Sequence, residues 1–355
     1  MKKALIVLLL LALVAGGLFA QITFGGNVQS GLMVASEDDT TFHVYNPGVG
    51  TRYRFELNGN FTNASGKAGA NFRFQGRGEP LFDNFAHVWV KPLDTLWLYA
   101  GRVDANRWET PGAMGQNGGV GGPVGLHIRF DPISGLSLGV GVAPNGGEIG
   151  DASYRFGASY TATGLLTAIA NINYDGAGNE GDGQTNAAAG VNILALSGLG
   201  LSRLGIDASV TNLSKLDTLG TFGFGPRIEF AVGAFSSELR VQVYVPVVEN
   251  QELDLAGHVR GTYKINDTVS ARLGVGYSMA AALASTNGAT FDYRWWDGLP
   301  GKSISAEETS VVTAQPALIF SIGGGTLEAG YGLLTQLSGD SLTKHGIYAT
   351  FNVGF

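Results

Sequence analysis

Apolar and polar residues alternate along much of this chain. From Thr343 to Phe355, the side chains of Ile347, Ala349, Phe351, Val353 and Phe355 share one face. Lys344, Gly346, Tyr348, Thr350, Asn352 and Gly354 share the other. A period of two is the signature of a strand whose faces meet different surroundings. The same alternation opposes Tyr53, Phe55, Leu57 and Phe61 to Arg52, Arg54, Glu56, Asn58 and Asn60. It opposes Ala70, Phe72 and Phe74 to Asn71, Arg73 and Gln75, and Leu126, Ile128 and Phe130 to His127, Arg129 and Asp131. It returns in Leu239, Val241, Val243 and Val245 against Glu238, Arg240, Gln242 and Tyr244. Eighteen strands are predicted: 22–35, 49–63, 67–76, 84–91, 95–103, 123–131, 135–143, 153–162, 165–174, 187–196, 200–212, 221–234, 236–247, 253–264, 269–283, 309–322, 325–335 and 343–355. Pro316 interrupts one of them, which predicts a bulge or a looser edge there.

The connections alternate as well. Short turns are predicted at 64–66, 92–94, 132–134, 163–164, 197–199, around Phe235, at 265–268 and at 323–324. Generally longer ones fall between them, at 36–48, 77–83, 104–122, 144–152, 175–186, 213–220, 248–252, 284–308 and 336–342. An up-and-down barrel crossing a bilayer has this asymmetry, with short turns at one end and longer loops at the other. A soluble sandwich shows the same alternation inverted, apolar inside and polar outside, so the strand pattern alone does not choose between them. In a bilayer the charged face must meet water or a partner, because each charge at mid-membrane costs about 2–4 kcal/mol.

The amino terminus points to export. Lys2 and Lys3 precede an apolar run from Ala4 to Ala15, and Gly16-Gly17-Leu18-Phe19-Ala20 leads to Gln21. Cleavage after Ala20 is expected, giving a signal peptide at 1–20 and a single barrel domain at 21–355. Removing the two lysines leaves 20 basic and 29 acidic residues, a net charge of −9. An acidic exported chain lacks the basic footprint of a nucleic-acid binder. No cysteine is present, which removes disulfides, thiolate catalysis and cysteine metal sites together. Mean hydropathy is only +0.13, and after residue 20 no apolar run is long enough for a spanning helix. Strands are then the way to cross a bilayer, as a closed barrel that satisfies every backbone group.

These features resemble a bacterial outer-membrane β-barrel porin. The sharpest match is Tyr348-Ala-Thr-Phe-Asn-Val-Gly-Phe355, which looks like the signal read by the barrel-insertion machinery. Thr350 stands where that signal often has glycine. The Leu-Phe-Ala-Gln ending of the leader is similar to spirochaete export signals. The resemblance implies an all-β fold, a transmembrane antiparallel up-and-down barrel of 18 strands, with 16 as the alternative. It implies an outer-membrane location among lipids, passage of small hydrophilic solutes and ions, and association as a homotrimer. A solute-specific channel for sugars or hydrophobic compounds, a surface adhesin and a soluble secreted sandwich are the competing readings.

The connection 104–122 follows the fifth predicted strand and is therefore the third external loop. In porins that loop commonly folds inward and narrows the barrel. Here it would place Asp104, Arg107 and Glu109 across from Arg52, Arg54, Arg73, His87 and Arg129 on the wall. Opposed charges would set ion selectivity. The other reading is a solvated glycine-rich loop. Phe291, Tyr293, Trp295 and Trp296 in 284–308 offer stacking surfaces or a packed loop cluster. Asp175 to Gly183 offers oxygen ligands without the spacing of a calcium loop. Trp97, Tyr99, Tyr154, Tyr160, Tyr174 and Tyr277 are candidates for interfacial girdles. The five histidines have no metal-ligand spacing and no nucleophile elbow is present, so no enzyme activity, metal or cofactor is expected.

Overall fold

The computed structural model describes residues 19–36, 40–44, 54–76, 82–103, 108–112, 124–144, 149–176, 183–196, 198, 200–216, 220–247, 253–279, 310–337 and 343–355. Its strands are β1 (Phe19–Ser36), β2 (Thr40–Val44), β3 (Arg54–Asn63), β4 (Ala68–Gly76), β5 (Phe82–Leu93), β6 (Leu96–Arg102), β7 (Val124–Ile133), β8 (Leu136–Ala143) and β9 (Ser153–Ala162). They continue as β10 (Leu166–Asp175), β11 (Gln184–Ile193), β12 (Leu201–Thr211), β13 (Thr221–Val232), β14 (Phe235–Pro246), β15 (Asp254–Lys264), β16 (Val269–Ser278), β17 (Val311–Ile322), β18 (Gly325–Gln336) and β19 (Thr343–Gly354).

Each strand from β3 to β19 pairs antiparallel with the next, and β19 returns to β1 through ten residue pairs from Asn27↔Gly354 to Ser36↔His345. On its other side β1 pairs with β3 over Phe19–Gln29 and with β2 over Leu32–Ser36. β2 and β3 thus share one place in the wall, and the closed barrel has 18 strand positions. The circuit from β1 through β3 to β19 and back to β1 is closed, as lipid requires.

The alternation resolves as greasy outside and polar inside. Leu126 is 63% exposed, Phe224 48% and Phe351 55%. Their inward neighbours His127, Asp207, Gln242, His258, Thr313 and Thr350 are buried. The dry apolar centre of a soluble sandwich is missing among the described residues, and the apolar belt matches acyl chains. Part of that belt is aromatic: Phe24, Phe61 and Phe72 follow one another at centroid spacings of 5.7 and 5.9 Å. On another arc it is nearly flat, where Ala158, Ala170, Ala189 and Ala208 stand side by side on β9 to β12.

Short turns gather at one end. Gly323 and Gly324, with φ of 52° and 89°, make the two-residue turn between β17 and β18, a left-handed conformation that glycine adopts without strain. The predicted turn at 197–199 is longer than expected, since β11 ends at Ile193 and β12 begins at Leu201. Residues 40–44 form β2 instead of loop, drawn into the sheet by the free upper half of β1. Pro316 makes neither a bulge nor an edge. It pairs with Leu273 on β16, and the ladder to β18 lapses between Ala314↔Leu333 and Ala317↔Gly330 without a register change. The missing N–H is absorbed by a gap of equal length on both strands. Trp97 and Tyr99 are not girdle residues, because they share the inward face of β6 while Leu98 points out. The body of the expected leader, 1–18, lies outside the described residues, and β1 begins at Phe19, two residues before the expected mature start.

Candidate channel constriction

Residues 108–112 of the third long connection lie against the inner face of the barrel. Trp108 is 2% exposed and Thr110 is 3% exposed. Asn171 on β10 donates from Nδ2 to the Trp108 carbonyl at 3.0 Å. The Thr110 hydroxyl donates to Asp207 Oδ2 on β12 at 2.6 Å. Both partners are inward residues of the wall. The chain approaches so closely that a Cβ on Gly112 would fall 2.1 Å from Asp207 Oδ1 and 2.2 Å from the Gly225 carbonyl of β13. The segment therefore spans the interior of β9 to β13.

Just beyond it toward the short-turn end, β12 to β15 carry a charged network. Val232 faces Phe235 across the hairpin, which sets Arg227 opposite Arg240 and Glu229 opposite Glu238. The next hairpin sets Glu238 opposite Arg260 and Arg240 opposite His258. Glu238 accepts from Arg227 at 2.9 Å and Arg260 at 2.6 Å and pairs with Arg240. His258 Nε2 stands 3.9 Å away. Glu229 meets Arg227 at 2.5 Å and Arg203 at 3.6 Å. Four arginines share two carboxylates in this network, so the patch is positive.

The described wall residues expected from the sequence have partners of their own on the inner wall. Counting β1 as the first position and β3 as the second, β12 is the eleventh, nine places away in a wall of 18 and so directly across. Arg54 on β3 does face the inserted segment across the barrel, but it is neutralised by Glu56, with Nη2 to Oε1 at 2.5 Å. Glu56 also accepts from Asn27 at 2.9 Å and Gln75 at 2.6 Å. Arg129 is paired with Asp131 at 2.6 Å. Arg73 donates to Asn58 at 2.9 Å and lies over the Phe85 ring at 5.0 Å. His87 is buried against Tyr99, their rings 5.6 Å apart. Glu109 is half-buried in the inserted segment. Arg52, Asp104 and Arg107 lie outside the described residues, as does the aromatic loop 284–308. The candidate oxygen ligand Asp175 pairs with Arg155.

Trp108, Thr110, Asn171 and Asp207 were not singled out from sequence, nor was the Arg203–Arg227–Arg240–Arg260 set. The charged set follows from hairpin register once turns are placed. The seat of the segment has no local signal, since Thr110 and Asp207 are 97 residues apart. Opposite the charged strands, inward aromatics line β5 and β6. Trp89 and Trp97 are 5.5 Å apart, with Lys91 4.8 Å and Arg129 5.4 Å from the Trp97 ring.

A closed barrel of this size, with an inserted segment and a charged inner wall, has the fold of the outer-membrane porins. Solved porin structures agree along almost the whole chain. Pseudomonas aeruginosa OccK3 (OpdO) superposes with a TM-score of 0.57 at 11% identity, covering 95% of this chain and 97% of its own. Pseudomonas aeruginosa OprD gives 0.56 at 10% identity, covering 95% and 96%. Acinetobacter baumannii OccAB4 gives 0.54 at 10% identity, covering 95% and 99%. The likeness is one of fold. No protein-family model matches the chain, and no curated protein matches it in sequence. None of these relatives supports a spirochaete source.

Proposed function

We propose that the protein is a bacterial outer-membrane channel for passive diffusion of small hydrophilic solutes and ions, with a preference for anions. One observation carries the reading: a chain segment is held inside the barrel beside a wall patch where arginines outnumber carboxylates. At 18 strands the interior is too wide to be filled by wall side chains alone. The segment narrows it, and the arginines supply a positive potential next to the narrowing. Such rings and patches of charge discriminate between ions without chemical change to either. Wall arginines on β3 and β7 have their own carboxylates, so the bias comes from β12 to β15. The last strand, ending at Phe355, serves recognition by the barrel-insertion machinery, and three copies associate in the membrane.

Purified barrel reconstituted in a planar bilayer should give discrete conductance steps. Under a salt gradient its reversal potential should report anions as the more permeant species. Folded protein without conductance would defeat the channel reading, and cation preference would defeat the role given to the arginines. A solute-specific channel is the second reading. The inward Trp89 and Trp97 favour it, since they offer a stacking surface to a ring-shaped solute across from the charged wall. Saturable block of conductance by such a solute would decide for it.

A further inference from the structure

The inserted segment does not merely touch the wall; the wall is hollowed to receive it. On β9, a Cβ on Gly157 would lie 2.8 Å from the Trp108 ring. On β11, a Cβ on Gly190 would lie 2.8 Å from the Pro111 ring. On β12, a Cβ on Gly205 would lie 2.2 Å from the Pro111 carbonyl oxygen. All three face inward, in the register of Asn171 and Asp207. Glycine inside a strand loses entropy and packs nothing of its own, and it often marks a close approach of another backbone. Here three neighbouring strands give up their side chains where the segment lies. Between them β10 contributes Asn171, and beside Gly205 β12 contributes Asp207, the two hydrogen-bonding residues that hold the segment's backbone and hydroxyl.

We infer that Gly157, Gly190 and Gly205 are positioning residues that fix the cross-section of the pore. They form a trough whose depth determines how far the 108–112 segment stands out into the lumen. The inference rests on the channel reading and deepens it, because it identifies what sets the bore. It also makes the narrowing a built part of the wall: Trp108 and Thr110 are buried in the seat, held by Asn171 and Asp207. A Cβ and its branches at the trough floor have no room beneath Pro111, so the segment must lift or leave.

The test is the unitary conductance of Gly190→Val and Gly205→Val, singly and together, beside a barrel with residues 108–112 deleted. The double variant should shift from the wild-type conductance to that of the deletion. Conductance at the wild-type level from folded double variant would overturn the inference. A silent wild-type barrel would instead defeat the channel reading itself. Should the valines prevent folding, a cysteine pair answers the same question in this cysteine-free chain. In Thr110→Cys with Asp207→Cys, the two thiols should link spontaneously on oxidation, and reducing that link should move the conductance of the same barrel toward that of the deletion. Thiols that stay separate and open to a water-soluble reagent in the folded barrel would overturn the seat.

Discussion

Glu238 shows how one side chain organises part of the inner wall. Its two oxygens serve guanidinium groups from three strands, Arg227 on β13, Arg240 on β14 and Arg260 on β15. Register brings these groups together whether or not they attract, because inward residues of adjacent strands must stand side by side. Without the carboxylate, three positive charges would face one another in a partly buried place. Glu238→Gln keeps the shape and removes the charge. It should lower the unfolding free energy by about 3 kcal/mol, as loss of one partner from a buried ion pair does. Equilibrium unfolding of the variant in lipid vesicles measures this. The same variant should also shift the reversal potential further toward anions. An unchanged stability would mean that water already screens the cluster.

At the scale of strands and turns, the last strand is tied to the first by more than its ladder. The terminal Phe355 exchanges backbone hydrogen bonds with Gly26, at 2.9 and 3.1 Å. Its ring covers Gly26, where a Cβ would be 2.6 Å from the ring edge, and stacks on Phe55 at 6.5 Å. The residue clasps β19, β1 and β3 on the lipid side. Phe355→Ala, refolded from denaturant so that cellular insertion plays no part, should lose about 1 kcal/mol from the missing aromatic contact. Gel migration after stepwise heating should show its barrel opening at lower temperature than wild type. The strands themselves were legible in the sequence because lipid outside and water inside impose strict alternation, as in β14 and β19. β2 was not, because its five residues gain a partner only when the upper half of β1 projects beyond β3. The inward fold of the third loop was expected from resemblance to porins. Its seat was not legible, since Gly157, Gly190, Gly205 and Asp207 become neighbours only after four strands are in register. The expected field between an acidic loop and basic β3 to β7 did not account for Glu56 and Asp131, which stand two residues from Arg54 and Arg129 on the same inward faces.

At the scale of the whole molecule, the net charge and the inner patch have opposite signs. The sequence is acidic, with a net charge of −7, yet the described patch beside the narrowing is positive. Salt weakens the field of this patch, with a screening length of about 10 Å at 0.1 M and about 3 Å at 1 M. Anion preference, read from reversal potentials, should accordingly fall as the mean salt concentration is raised at a fixed gradient. A preference independent of salt would point to size exclusion in place of charge.

The arc from β9 to β12 has small residues on both sides: glycines toward the inserted segment and Ala158, Ala170, Ala189 and Ala208 toward the bilayer. There the partition between acyl chains and the aqueous path is scarcely more than a peptide backbone in thickness. Trp108 and Pro111 fill in from within what the wall lacks, so the inserted segment doubles as a lining that thickens the barrel along this row.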